Sequence, residues 1–350
     1  MQMIKRLLAG CAVACTAVAI SGAGHANEVV IATWGGTWGK AIQEKAVEPF
    51  EKETGIKVKL ISGVSLANMQ MIAAQRNNPQ VDIIMMTAQD AVGAYNDGLL
   101  APIDQDAVPS TKDLPDFGIR KAPEGGIMFA GMWMYTYGIA YRADKVDFPV
   151  ACWKDLWDPR LKNKVAVSSP KYMNAYFMLM ANKIADGTEE NIAPGLERIK
   201  KMGQNLVAVA DDSATQQRLL AQGEAWAIPM LSSAAHTVID KGVPARFVNP
   251  CEGAPAGVDV MALVKNGPNK ASAEKFINYY ISPKTIAAVT EQLKITPVNP
   301  KAEIGPEHAK YTISKEDLGK LVSFSDEAII GSRAKWQDQW EREISPMTRR

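Results

Sequence analysis

The chain has 350 residues, with 39 Lys and Arg against 38 Asp and Glu for a formal charge of +1, so its overall charge points neither to nucleic acid nor to an anionic membrane surface. Its 47% hydrophobic and 22% charged composition excludes a largely disordered chain, and its length passes the roughly 250–300 residues at which single cores stop growing, so two lobes are expected. Four cysteines are too few for a disulfide scaffold, and three histidines leave little for a His-based metal centre.

The first segment reads as an export signal. Lys5-Arg6 precede an apolar run over residues 7–20, and Ser-Gly-Ala-Gly-His-Ala26 supplies small residues at a cleavage site, so residues 1–26 are expected to be removed. The run is shorter than the about 20 apolar residues that a membrane span needs. Leu8-Ala9-Gly10-Cys11 spells a competing lipobox, but only Leu7 to Gly10 separate it from Lys5-Arg6, which favours a secreted, periplasmic product over a lipid-anchored one. Cleavage takes Cys11 and Cys15 and leaves Cys152 and Cys251. In an oxidising compartment these two read as one disulfide, with two unpaired buried thiols as the bland alternative. Such a bridge closes a loop of about 100 residues, valued at several kcal/mol.

After the signal, short β-branched runs alternate with amphipathic helices. A strand at 29–32 leads through Thr33-Trp34-Gly35-Gly36-Thr37 into a helix over 38–53, whose Ala41, Ile42, Ala46 and Phe50 fall at helical spacing and which Gly55 stops. A strand at 56–61, a helix at 66–75 and a buried strand at 81–85 follow, which implies right-handed crossovers and a largely parallel sheet. Residues 128–142 are aromatic-rich and extended. The alternation then resumes with strands at 165–167, 206–209, 225–228 and 258–264. Helices are expected at 172–182, 196–202, 213–222, 270–281, 283–292 and 336–343. No repeat, low-complexity tract or flexible linker separates the halves, so the chain is expected to cross between two α/β lobes more than once.

Catalytic and cofactor motifs fail on spacing. Gly35-Gly-Thr-Trp-Gly39-Lys40 has three residues between its outer glycines and Ala41 after the lysine, so it is no Walker loop; it reads as a turn whose backbone N–H groups can face a polar ligand. Ser62-Gly-Val-Ser65-Leu-Ala67 lacks the second glycine of a nucleophile elbow. No His-Glu-x-x-His or Cys-x-x-Cys occurs, and His236 and His308 are far apart, so neither a cofactor nor a metal is expected. What remains is aromatic and polar loop chemistry at expected strand ends: Trp34 and Trp38 beside the glycine turn, Trp133, Tyr135, Tyr137 and Tyr141 in alternation, and Tyr172 after Ser168-Ser169-Pro170. Open α/β sheets place ligands there, and rings suit a small molecule or a cation, although about half of them are expected to be core.

The run Cys152-Trp-Lys-Asp-Leu-Trp-Asp-Pro-Arg-Leu-Lys-Asn-Lys-Val-Ala-Val167 resembles a segment of bacterial extracellular solute-binding proteins of the polyamine, thiamine and iron type, which serve ABC importers. Val81-Asp-Ile-Ile-Met-Met-Thr87 with Gly98-Leu-Leu-Ala-Pro-Ile-Asp104, Gly138-Ile-Ala-Tyr-Arg142 and Phe276-Ile-Asn-Tyr-Tyr-Ile-Ser-Pro283 keep the order found in that family. The resemblance spans residues 28–300. It implies a type II periplasmic-binding fold, with two α/β lobes, a hinge and an interlobe ligand cleft. Lobe 1 would comprise 27–138 and 258–300, lobe 2 would comprise 139–257, and 301–350 would pack on both as a helical segment. The crossings are expected near 137–142 and 253–259. It further implies a monomeric, non-enzymatic protein that binds a small molecule and hands it to an inner-membrane ABC permease.

For the ligand, Asp259 lies where polyamine-binding relatives carry an amine-binding Asp, while the aromatic two positions earlier in them is Gly257 here. The acidic cluster expected after the 165–167 strand is replaced by Ser168-Ser-Pro-Lys-Tyr172. One carboxylate with hydroxyls and rings suits an amine or amino acid, polyamine-like or γ-aminobutyrate-like. The expected contacts are Trp34, Gly36, Thr37, Thr87, Trp133, Tyr135, Tyr137, Ser169, Tyr172 and Asp259. His236 falls about where a relative selective for a γ-amino acid places a cation for the ligand carboxylate. Organic carboxylates, thiamine and ferric ion remain alternatives, as does an enzyme on the same bilobal fold.

Overall fold

The computed structural model describes residues 28–348, so the export signal at 1–26 and its rival lipobox lie outside the described residues. Strand β1 (Glu28–Thr33) leads into α1 (Gly36–Ile42), which passes through a π-helical turn at Gln43–Val47 into α2 (Glu48–Thr54). The single helix expected over 38–53 is therefore a helix with one wide turn, and Pro49 at the start of α2 lacks the N–H that a regular ladder would use there. Gly55, at φ 72°, ends it in the left-handed region where glycine carries no Cβ penalty.

β2 (Lys57–Ser62), α3 (Ser65–Ala74), β3 (Ile83–Thr87) and α4 (Ala88–Asn96) continue the alternation. β2 and β3 flank β1 in parallel. β3 begins two residues later than its sequence signal, because Val81 and Asp82 form the approach, in which the Asp82 carboxylate accepts from the backbone of Val30 and Asn269. After β4 (Leu100–Ala101) and β5 (Ile119–Lys121) comes β6 (Ile127–Arg142), sixteen residues buried throughout. A strand of that length needs partners on both sides along its whole course, and two different lobes provide them. Its first part, through Thr136, pairs with β11 (Ala256–Val264); from Tyr137 onward it pairs with β9 (Ala227–Leu231) and β10 (Ala245–Val248).

The second lobe adds β7 (Val165–Val167) and β8 (Leu206–Val209), parallel to one another, with β7 also parallel to β9. Its helices are α5 (Tyr176–Lys183), α6 (Ala193–Lys201), α7 (Ser213–Gln222) and α8 (Ser232–Asp240). The helix expected from 172 starts only at Tyr176, since Met173, Asn174 and Ala175 have φ of 48°, 52° and 61°, which an α-helix excludes. The strand order across the whole sheet is β2-β1-β3-β11-β6-β9-β7-β8. The chain returns through Cys251, Gly253 and Pro255 to β11, and the Cys152–Cys251 disulfide stands beside this return. Glu252 reinforces it by accepting from the Trp153 and Lys154 N–H groups at 2.7 and 3.2 Å.

α9 (Lys270–Tyr280) and α10 (Pro283–Leu293) cover the first lobe, and β12 (Thr296–Pro297) adds to β6. α11 (Lys315–Leu318) and α12 (Asp326–Glu343) close the chain. α12 is longer than the expected 336–343 because its first half is polar and gives no apolar period; Ser325 caps it by accepting from Ala328 N. It sends Ile329, Trp336 and Trp340 into the second lobe's core, while Asp326 pairs with Arg120 of the first lobe at 3.0 Å. No helix among the described residues is long and apolar enough to cross a membrane.

Candidate ligand-binding site

The site forms where β3, β11 and β6 lie side by side. Asp259 on β11 is opposite Thr87 at the end of β3 and opposite Trp133 on β6; two residues earlier, Gly257 is opposite Tyr135. Trp133 Nε1 donates to Asp259 Oδ2 at 2.8 Å, so these side chains leave the sheet on the same face. Strand alternation puts positions 135 and 257 on that face as well. A Cβ on Gly257 would come within 2.3–2.4 Å of Tyr135 Cε2, Cζ and hydroxyl, which means the phenol lies directly on the Gly257 backbone. The slot where a side chain at 257 would stand is thus filled from the neighbouring strand.

Asp259 is 7% exposed, and beyond the Trp133 bond it has no hydrogen-bond or ion-pair partner among the described residues. Asp82, also buried, provides the contrast. Asp82 accepts from Val30 N at 2.8 Å, Asn269 N at 2.7 Å and Asn269 Nδ2 at 3.2 Å, the saturated pattern of a structural carboxylate. At Asp259, burial pushes the carboxyl up to about 7, against the Trp133 bond, and the nearby Asp90 charge adds to the rise. Asp90 is half-buried. Thr87 Oγ1 caps α4 by accepting from Asp90 N at 3.1 Å, but the Asp90 carboxylate makes no return bond, so only half of a capping box exists and the carboxylate stays unpartnered among the described residues. Tyr135 is 6% exposed and its hydroxyl likewise lacks a partner there. Burial raises its phenol well above the usual range, and Asp259, Tyr176, Asp90 and Tyr172 oppose its ionisation in turn, which gathers residues of both lobes into one electrostatic neighbourhood.

Other expected contacts distribute themselves around this centre. The Trp34 and Trp38 rings lie 6.0 and 5.5 Å from Trp133, and Trp34 Nε1 donates to Ser65 Oγ at 3.0 Å. Gly36, with φ 61°, opens α1. Thr37 and Trp38 line a cavity of about 520 Å³ whose other wall is Ser213, Gln217, Ser233 and Thr237 of the second lobe. The Tyr172 hydroxyl is 2.8 Å from Ser213 Oγ. Ser169, expected to donate to a ligand, instead spends its donors on Asp211: its hydroxyl reaches Oδ2 at 2.9 Å, its N–H reaches Oδ1 at 2.7 Å, and Lys171 pairs with the same carboxylate at 3.2 Å.

Two expectations need correcting. Tyr137 is not a wall of the site but a core residue of the second lobe, fully buried, with its hydroxyl 2.7 Å from Ser168 Oγ and its ring stacked 6.2 Å from Trp153. His236 does not offer a cation to the centre. It packs between Phe247 and Tyr311, at 5.7 and 5.1 Å, and burial, with Lys310 and Lys294 adding to it against the pull of Asp240, pushes its imidazole down to about 4, so it is neutral at physiological pH. Conversely, Asp90, Tyr176 and Asp211 were missed by sequence reasoning. Thr87-x-x-Asp90 carries a capping signature that could have directed attention to Asp90. Asp211 and Tyr176 carry no local signal, because what they reach lies 42 and 80 residues away.

A family model described as bacterial extracellular solute-binding protein matches residues 45–315. The spermidine/putrescine-binding periplasmic protein 1 of Haemophilus influenzae is 24% identical over 307 residues, covering 86% of this chain and 82% of that protein. The putrescine-binding periplasmic protein PotF of Escherichia coli is 24% identical over 281 residues, covering 73% and 75%. Among solved structures, the spermidine/putrescine ABC transporter substrate-binding protein PotD of Streptococcus pneumoniae superposes with a TM-score of 0.75 at 19% identity, covering 91% of this chain and 99% of that one. It supports the type II periplasmic-binding architecture of two α/β lobes.

Proposed function

The chain belongs to the bacterial extracellular solute-binding proteins, and we propose that it captures a small organic ammonium compound in the periplasm and delivers it, as a monomer, to an ABC permease of the inner membrane. The observation that carries this reading is Asp259, a buried carboxylate with one oxygen unpartnered and no protein cation paired to it or to Asp90 among the described residues. An ionised group in such a place is costly unless a counter-charge arrives, and a ligand ammonium is that counter-charge. Trp34, Trp133 and Tyr135 wall the position, and Thr87 stands beside it.

The polyamine-binding names of the relatives agree with this chemistry, whereas an anionic ligand loses the cation that His236 was expected to supply. In this reading lobe 1 (27–138 and 258–300) and lobe 2 (139–257) close about β6 and the 253–259 return. A ligand touching both lobes favours the closed form, because only there does it make all its contacts.

A thermal-shift and calorimetric panel of putrescine, spermidine, γ-aminobutyrate, thiamine, dicarboxylates and ferric ion tests the assignment. Amines are expected to stabilise the protein, and Asp259→Ala is expected to abolish that effect while leaving the folded state intact. Amine affinity unchanged in Asp259→Ala would sink the reading.

A further inference from the structure

Within the ammonium reading, on which this inference rests, we propose that Tyr135 is the specificity-determining residue: seated on Gly257, its hydroxyl makes the site demand an ammonium that still carries N–H bonds. Two polar atoms face the position without partners. One is the second oxygen of Asp259, the other is the Tyr135 hydroxyl, and both belong to side chains more than nine-tenths buried. They sit on one face of the sheet, Asp259 directly and Tyr135 by lying over Gly257, two residues along the same strand. Alternate residues of a strand are about 6.5–7 Å apart at the backbone, and one nitrogen with hydrogen bonds of about 2.8 Å on either side spans at most about 5.6 Å. Bridging therefore requires the Asp259 carboxylate and the phenol lying over Gly257 to close the remaining ~1–2 Å towards each other.

A primary or secondary ammonium donates to both atoms at once. A trimethylated nitrogen has the same charge but nothing to donate, and it leaves a hydroxyl and a carboxylate oxygen buried and unpaired, the costly outcome for groups removed from water. The surrounding indoles do not reverse the preference. Trp133 is fully buried, with its edge committed to Asp259 and Trp34 and Trp38 tilted against it at 47° and 36°, so its own ring face is not open as part of a cage. Gly257 is part of the device: any side chain there would meet the phenol at 2.3–2.4 Å and push the hydroxyl away.

The test uses putrescine and γ-aminobutyrate, each against its N-trimethylated counterpart, titrated into the wild type and Tyr135→Phe by calorimetry. The wild type is expected to prefer the N–H-bearing member of the pair. Tyr135→Phe is expected to lose about ten- to a hundred-fold on that member and little on the methylated one, so that the preference narrows. Equal losses on both, or none, overturn the assignment to Tyr135 while leaving the ammonium reading standing. A wild type that binds neither putrescine nor γ-aminobutyrate, methylated or not, overturns both. The seating is checked without ligand by a thermal-unfolding cycle: Gly257→Ala is expected to destabilise the wild type more than it destabilises Tyr135→Ala, and equal destabilisation overturns the contact.

Discussion

Replacing Asp259 with Asn keeps an oxygen for Trp133 Nε1 and removes the ionisation. The folded protein holds the Asp259 proton up to about pH 7, against 3.8 for an ordinary Asp. Between those values the folded state binds more protons than the unfolded one, so this group makes stability fall as pH rises through the window and level off above it. The rise from 3.8 to about 7 corresponds to about 4 kcal/mol between the two protonation states. Asp259→Asn is therefore expected to match the wild type near pH 4 and to exceed it by up to about 4 kcal/mol at pH 8. The assay is urea unfolding of both proteins at pH 4, 5, 6, 7 and 8, read as the difference between them so that all other titrations cancel. A difference that stays flat across the window, or one that favours the wild type as pH rises, refutes the argument that an unpaired, desolvated carboxylate occupies this position. The same linkage bears on binding. A permanently cationic ligand needs the proton gone, so its affinity is expected to rise up to about tenfold per pH unit below about 7 and to plateau above.

Trp133→Phe removes the one bond that holds the Asp259 carboxyl down, so the midpoint of that pH-dependent difference is expected to move above 7, read against Trp133→Phe/Asp259→Asn. Reducing the Cys152–Cys251 bridge, which closes a loop with sequence separation 99, is expected to cost several kcal/mol in denaturant unfolding. Asp82→Ala strands the Val30 and Asn269 N–H groups in the interior and is expected to destabilise by about 3 kcal/mol or more, visible as a lowered urea midpoint, with amine binding unchanged in whatever fraction stays folded.

Periodicity made most of the fold legible where local signals agree with tertiary packing. α7 and β8 fall on the expected 213–222 and 206–209, because Asp212 caps one end of the helix through Thr215 N and Gly223 ends it at φ 70°. Legibility failed where the backbone does what no composition announces: the left-handed run at Met173–Ala175, the wide turn at Gln43–Val47, and the polar first half of α12. The site divides the same way. Asp259 could be chosen from the family resemblance, Trp133 and Tyr135 from the aromatic alternation over 133–141, and Thr87 from the family segment that it ends, and the structure sets them side by side. Which donors remain unspent could not be read, since Ser169 is satisfied by Asp211 and Tyr137 by Ser168 across long stretches of chain. The free carboxylate of Asp90 was hidden for the opposite reason: its sequence context signals a capping bond that it does not make.

The near-neutral total charge takes its meaning from this site. With 39 cations against 38 anions the net charge supplies no overall attraction of one sign, so in the ammonium reading selection of the solute rests on local groups. Asp259 and Tyr135 sit on β11 and β6, and β6 is the strand that passes from one lobe's sheet into the other. Tyr176 of the second lobe donates to the Ala256 carbonyl at the start of β11, at 3.2 Å. A counter-charge placed at Asp259 therefore acts on the strands through which any closure of the lobes must be transmitted. In the proposed reading, closure in turn deepens the desolvation around this carboxylate. Each step strengthens the other through the same residue, so Asp259→Asn is expected to weaken the ligand-induced compaction measured by solution scattering with putrescine, not only the affinity. Compaction preserved in that variant at saturating putrescine would separate the binding charge from the closing motion and refute their coupling.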